Sequence, residues 1–274
     1  MLFRSGELIG EEGRGIRTII EMSTYARLDC SIGSSGLMRQ AVAQAIHNAS
    51  YRIAFQKKLI DQSLMTNVLA DLALESEAAT ALTMRLARAY DENDEAASIW
   101  RRVLTPAVKF WICKRAVPVA AEALEVLGGN GYVEDCVMPR LHRETPVTSI
   151  WEGYGNVMCL DVLRAMERTS GAVDLLHQEL AEIAGPDKRL RNTAARLERR
   201  LAPGARHDEA QARAIVRDLV LALQAALLLR HAPAAIADAF CASRLGDEPG
   251  GAFGLLPSDT GLRAIVDRAA PQLP

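Results

Sequence analysis

Glu152 stands between Trp151 and Gly153 in a glycine-punctuated segment, and it is the carboxylate of this chain best placed for general-base chemistry. An indole beside a carboxylate keeps water off one side, and desolvation moves the acid toward neutrality, where it becomes a useful base. A glutamate on an exposed loop has the same local sequence, so these residues alone leave both readings open. Leu127-Gly128-Gly129-Asn130-Gly131 could turn backbone amides toward a phosphate. It is not a G-x-G-x-x-G fingerprint, and a helix C-cap uses the same residues.

Other chemistries find little support. His47, His142, His177, His207 and His231 are isolated, and no pair sits at metal-ligand spacing, so no metal site is expected. Cys30, Cys113, Cys136, Cys159 and Cys241 are odd in number and contain no C-x-x-C, which argues against zinc and against a disulfide framework. No G-x-S-x-G elbow occurs, and Ser34-Ser35 read as a helix start. Lys188, Arg189, Arg191, Arg196, Arg199, Arg200 and Arg206 stand against Glu198 alone, a local charge of +6. Such a cluster is either a solvated helix face or a phosphate-binding patch, and the interleaved aromatics that would stack on bases are missing.

Long helices must position these residues. No Gly or Pro occurs from Leu37 to Thr105, and Leu37, Ala41, Ala45, Ala49 and Ile53 recur at spacings of four. A second apolar stripe runs from Leu69 to Ala89, which predicts an antiparallel helix pair broken near residues 56–62. A third helix is expected from Glu95 to Leu127, ending at Gly128-Gly129 and kinked at Pro106 and Pro118. Residues 128–156 read as a punctuated loop region, followed by a helix from Val157 to Glu167. Beyond it, Gly185-Pro186 and Ala202-Pro203-Gly204 divide a last helical layer that includes an apolar helix near residues 212–229.

Composition agrees. The chain has 274 residues, 49% hydrophobic, only 5% aromatic and 24% charged, with 32 basic and 34 acidic side chains. Disorder and an all-β fold are excluded on these values. A net charge of −2 gives no global pull toward nucleic acid or an acidic membrane. No apolar stretch approaches a membrane span and the first residues carry no signal-peptide pattern, so a reducing cytoplasm is the expected location.

Taken in order, the motifs resemble the acyl-CoA dehydrogenase family and, within it, an AidB-like branch linked to DNA alkylation damage. The resemblance rests on Gly10-Glu11-Glu12-Gly13-Arg14-Gly15, Arg27-Leu28-Asp29-Cys30, Arg52-x-x-Phe55, Leu127 to Tyr132, Pro139-Arg140-Leu141-x-Arg143-Glu144 and Ser149 to Gly153. Pro106 to Arg115 and Asn156 to Arg164 point to the branch. The implied fold is all-α: residues 1–15 as a linker from a β-domain, 16–168 as a long-helix bundle, and 169–274 as an appended helical domain.

The resemblance also implies roles. Glu152 falls on the base that removes an α-proton from an acyl-CoA thioester, with Arg27, Trp151 and Gly153 around the substrate and Ala26 at the position where some relatives carry the base. FAD is the implied cofactor. Arg52 and Phe55, with Gly128, Gly129 and Glu125 on the turn, fall on its pyrophosphate and adenine contacts, and Tyr154 and Asn156 on its ring contacts. Because such a site is shared between subunits, a homodimer or homotetramer is implied, with an acyl-CoA thioester and an electron acceptor as partners.

Three positions depart from the pattern: Gln56 for Gly, Glu125 for Gln, and Tyr154 for a small hydroxyl residue. The family's N-terminal helical and β-domains have no counterpart in these residues, so the expectation is a chain carrying the C-terminal portion. The rival expectations are a DNA-associated protein using Lys188, Arg189, Arg191, Arg196, Arg199 and Arg200, and a helical remnant without independent activity.

Overall fold

The computed structural model describes residues 6–184, 187–201, 209–246, 251–257 and 260–272. Gly185-Pro186, Ala202-Pro203-Gly204 and Arg206 lie outside the described residues. Helix α1 spans Gly15–Tyr51, α2 Ser63–Asp91 and α3 Glu95–Leu127. The first helix therefore begins well before Ser34-Ser35, which sit in its interior. Gly33 and Gly36 do not break it, because a helix with a long buried face tolerates about 1 kcal/mol per glycine.

Helix α3 has the bounds expected from sequence. Asp94 caps its start, accepting from the Ala97 amide at 2.7 Å, and Gly128 closes its end at φ 64°. Pro106 and Pro118 both lie inside it, so the carbonyls of residues 102 and 114 lose their usual helical donor. Between α1 and α2 the expected break is a miniature hairpin: β1 (Ile53–Ala54) pairs antiparallel with β2 (Lys57–Lys58). Its two turn residues, Phe55 and Gln56, have φ of 52° and 65°, the left-handed pair that matches strand twist.

The segment read as a loop region is largely helical. Helix α4 covers Gly129–Tyr132 and α5 covers Met138–Ile150. Pro139 has the look of loop punctuation but occupies the first turn of α5, where no amide partner is needed. Helix α6 spans Gly155–Arg168, and α7 (Ala172–Ala184), α8 (Lys188–Leu201), α9 (Ala212–His231), α10 (Ala234–Arg244) and α11 (Leu262–Ala269) follow.

Helix α9 is apolar on nearly every side and is accordingly central, packed on α2, α3 and α6 as well as on α7, α8 and α10. The core therefore runs without interruption from the first bundle into the C-terminal layer. Buried charge ties the two together. Glu75 of α2 accepts from Arg115 of α3 at 2.9 and 3.1 Å and from Arg244 of α10, whose guanidinium also binds Asp71. The side chain of Asn67 pairs with the backbone of Leu256 in both directions, at 2.9 and 3.0 Å.

Candidate functional site

The turn between α5 and α6 carries Trp151, Glu152, Gly153 and Tyr154. Glu152 has φ 57° and Gly153 φ 105°, so two successive residues adopt left-handed backbone. For a glutamate this costs about 1–2 kcal/mol, so something must hold it. Three successive carbonyls are held. The Arg27 Nε donates to the Glu152 oxygen at 3.0 Å, and Lys109 Nζ donates to the oxygens of Trp151 at 2.8 Å and Gly153 at 2.5 Å. Gly153 is required here twice over, since a Cβ would lie 2.6 Å from the Met158 methyl.

Glu152 is half-buried and borders a cavity of about 710 Å³ between α1 and α5. Its walls include Ala26, Cys30, Leu37, Leu141 and Trp151. Gly33 and Gly36 form part of the floor, and a Cβ on either would meet nothing within 4 Å, so packing within the chain does not require them. Arg27, expected around the substrate, donates to the main-chain oxygen of Glu152 and lies 3.5 Å from the carboxylate of Asp161. Arg102 binds the same aspartate at 2.8 Å, which fixes Arg27 from behind. Burial lowers the basicity of Lys109, partly countered by the thiols of Cys113 and Cys30, and burial raises both thiols.

Tyr154 is exposed at the start of α6, and Asn156 Oδ1 accepts from Arg213 Nε of α9 at 2.9 Å, so this candidate flavin contact is engaged within the chain. Arg52, Phe55, Glu125, Gly128 and Gly129 gather at the other end of α1. Arg52 Nη1 donates to the Leu127 oxygen at 3.1 Å, and a Cβ on Gly128 would lie 3.4 Å from that nitrogen. Phe55, 92% exposed at the hairpin tip, and Glu125 point outward. The two groups are separated by the 24 helical steps from Arg27 to Tyr51, roughly 36 Å at 1.5 Å per step. One chain does not bring them around a single small ligand.

The described part of the basic cluster lies on α8, and at least three of its six side chains pair with carboxylates. Arg189 bridges Asp187 and Asp238, while Arg196 and Arg200 bind Asp218 of α9 together with Arg217. Lys188 and Arg199 are exposed, as is Arg191. Among the described residues there is no group of three potential metal ligands, and no helix is long and apolar enough to cross a membrane.

Lys109 lies within the Pro106 to Arg115 motif, which by itself gives it no role. The available signal was a lone lysine among Val108, Phe110 and Ile112, all buried.

Residues 13–167 match the family described as acyl-CoA dehydrogenase, C-terminal domain. AidB of Escherichia coli (strain K12) is 46% identical over 237 residues, which is 86% of this chain and 43% of AidB. The Caenorhabditis elegans ACDH-11 structure, solved in complex with C11-CoA, superposes with a TM-score of 0.72 at 25% identity, covering 97% of this chain and 45% of that one. A Bacillus anthracis acyl-CoA dehydrogenase solved with FAD shares the fold, with a TM-score of 0.68 at 16% identity over 97% of this chain and 55% of that one. The chain thus spans less than half the length of the AidB and ACDH-11 relatives that it matches. With a helical bundle, a held glutamate turn and this match over more than half its length, the chain belongs to the acyl-CoA dehydrogenase family.

Proposed function

We propose that this chain carries the base and part of the cofactor contacts of a flavin-dependent acyl-CoA dehydrogenase. The observation that supports it best is the Glu152 turn: a half-buried carboxylate bordering a mainly apolar cavity, on backbone held at three successive carbonyls. Glu152 takes the α-proton of the acyl thioester onto its carboxylate, and Trp151 and the glycine-floored wall of α1 shield the exchange from water. FAD, when bound, supplies the acceptor for the β-hydrogen as hydride.

Arg52 and the Gly128 turn fit the pyrophosphate of such a cofactor, because a fixed guanidinium beside a turn without Cβ gives both charge and close approach. Exposed Phe55 fits a planar adenine. Glu125, in the last turn of α3 just before Gly128, opposes the pyrophosphate charge and weakens the hold. Since these groups and Glu152 lie at opposite ends of α1, a complete site takes Arg52 and Phe55 from a second copy, which makes the working unit a homodimer or a pair of dimers. In this reading residues 16–168 form the catalytic bundle and residues 169–274 an appended layer.

The test is reconstitution. The purified chain is incubated with FAD, freed of excess cofactor and read for flavin absorbance, beside an Arg52→Ala/Phe55→Ala double variant. Flavin retained by the native chain and lost by the variant supports the reading; equal retention by both, or none by either, counts against it.

A further inference from the structure

Lys109 is the most deeply buried charged side chain of the first bundle, at 1% exposure in the middle of α3. Taking an ammonium out of water costs several kcal/mol, normally offset by a carboxylate partner. Among the described residues Lys109 has no such partner within salt-bridge distance. Its acceptors are the main-chain oxygens of Trp151 and Gly153, on either side of Glu152. A methionine or leucine would fill the same space in α3 without the desolvation cost, which offsets part of what the two lost hydrogen bonds contribute. What an apolar side chain could not do is hold two carbonyls that flank a left-handed residue.

We propose that Lys109 is the positioning residue of the Glu152 turn, its ammonium clamping the carbonyls of Trp151 and Gly153 so that the backbone stays left-handed and the carboxylate stays at the cavity. Each contact is a charge-assisted hydrogen bond, of the stronger class. Arg27 holds the carbonyl between them, so the clamp has two arms, from α3 and from α1. The arms differ in purpose: Arg27 also serves the Asp161 ion pair, whereas among the described residues Lys109 donates to this turn alone. The catalytic meaning of the clamp rests on Glu152 being the base; the clamp itself does not.

The test uses the full chain without flavin or substrate, so its outcome is independent of the dehydrogenase reading. Hydrogen exchange is followed by NMR for the native chain and for Lys109→Met, with a denaturant midpoint for each. The expected result is at least tenfold faster exchange of the Met158 amide and its neighbours at the start of α6, with a much smaller change in the amides of α2 and α9 and in the midpoint. Unchanged exchange at the turn, or a uniform rise across all helices, overturns the proposal.

If Lys109→Met does not fold, the native chain still decides. The Lys109 ammonium protons should be slow to exchange and coupled to the carbonyl carbons of Trp151 and Gly153. Ammonium exchange as fast as that of exposed Lys57 and Lys58 overturns it. Where flavin is bound, Lys109→Met should lower kcat at least tenfold with KM unchanged, and a change in KM alone overturns the positioning role.

Discussion

The side chain of Arg27 and the main-chain oxygen of Glu152 meet at 3.0 Å across 125 positions of sequence. One arginine near the start of the first helix thereby holds the turn that carries the candidate base, while its other face pairs with Asp161 on α6. Replacing Arg27 with Gln removes that second link and the ion pair together. The expected outcome is a loss of about 1–3 kcal/mol in unfolding free energy, read by denaturant titration, since a hydrogen bond to a charged group contributes on this scale.

Gly131 offers a sharper stability test. A Cβ there would lie 2.3 Å from the Leu124 oxygen and 2.9 Å from the Leu127 Cβ, so Gly131→Ala forces the end of α3 and the α4 turn apart. Overpacking of this kind costs about 1–3 kcal/mol. Gly129→Ala meets nothing within 4 Å and is expected to leave the denaturant midpoint nearly unchanged.

Glu75 links stability to pH. Burial pushes its carboxyl upward, but the Arg115 and Arg244 guanidiniums outweigh burial and hold it below the usual glutamate value of 4.5. A group with a depressed folded value contributes stability that is fully present above 4.5 and is lost as pH falls from there through the folded value. Unfolding free energy should therefore drop on acidification below that point, and Glu75→Gln should flatten the drop. The substitution should also cost about 1–3 kcal/mol at neutral pH, because it leaves the half-buried Arg115 and Arg244 guanidiniums without their shared carboxylate.

The thiols should divide by access. Cys30, Cys113, Cys159 and Cys241 are buried, and burial pushes Cys159 and Cys241 each up to about 12. Cys136 is partly exposed beside the Asn130 oxygen. Native-state alkylation at pH 8, read by mass spectrometry, should modify Cys136 first, with the others reacting only after unfolding.

Much of the fold was legible because helix punctuation is local. Asp94 and Gly128 each satisfy or end a backbone run within a few residues, so α3 could be bounded from the sequence. Helix α5 was not legible, since Pro139 in a first turn looks like a loop proline until its neighbours are placed. Gly33 and Gly36 hid the first half of α1 for a related reason: tertiary burial of the helix outweighs their low propensity. At the site, Glu152 and its neighbours could be named from one short motif. Lys109 could not, because its meaning depends on two carbonyls more than forty positions away. The charge on α8 looked open in sequence, and only the fold shows Asp187 and Asp218 pairing with Arg189, Arg196 and Arg200.

The central claim is that Glu152 is the base. The direct measurement is deuterium incorporation at the α-carbon of an acyl-CoA thioester in heavy water, followed by mass spectrometry, for the FAD-reconstituted native chain and for Glu152→Gln. The native chain should exchange the α-proton and the variant should lose at least about a hundredfold of that rate, with flavin binding retained. Exchange at the native rate by Glu152→Gln would contradict it.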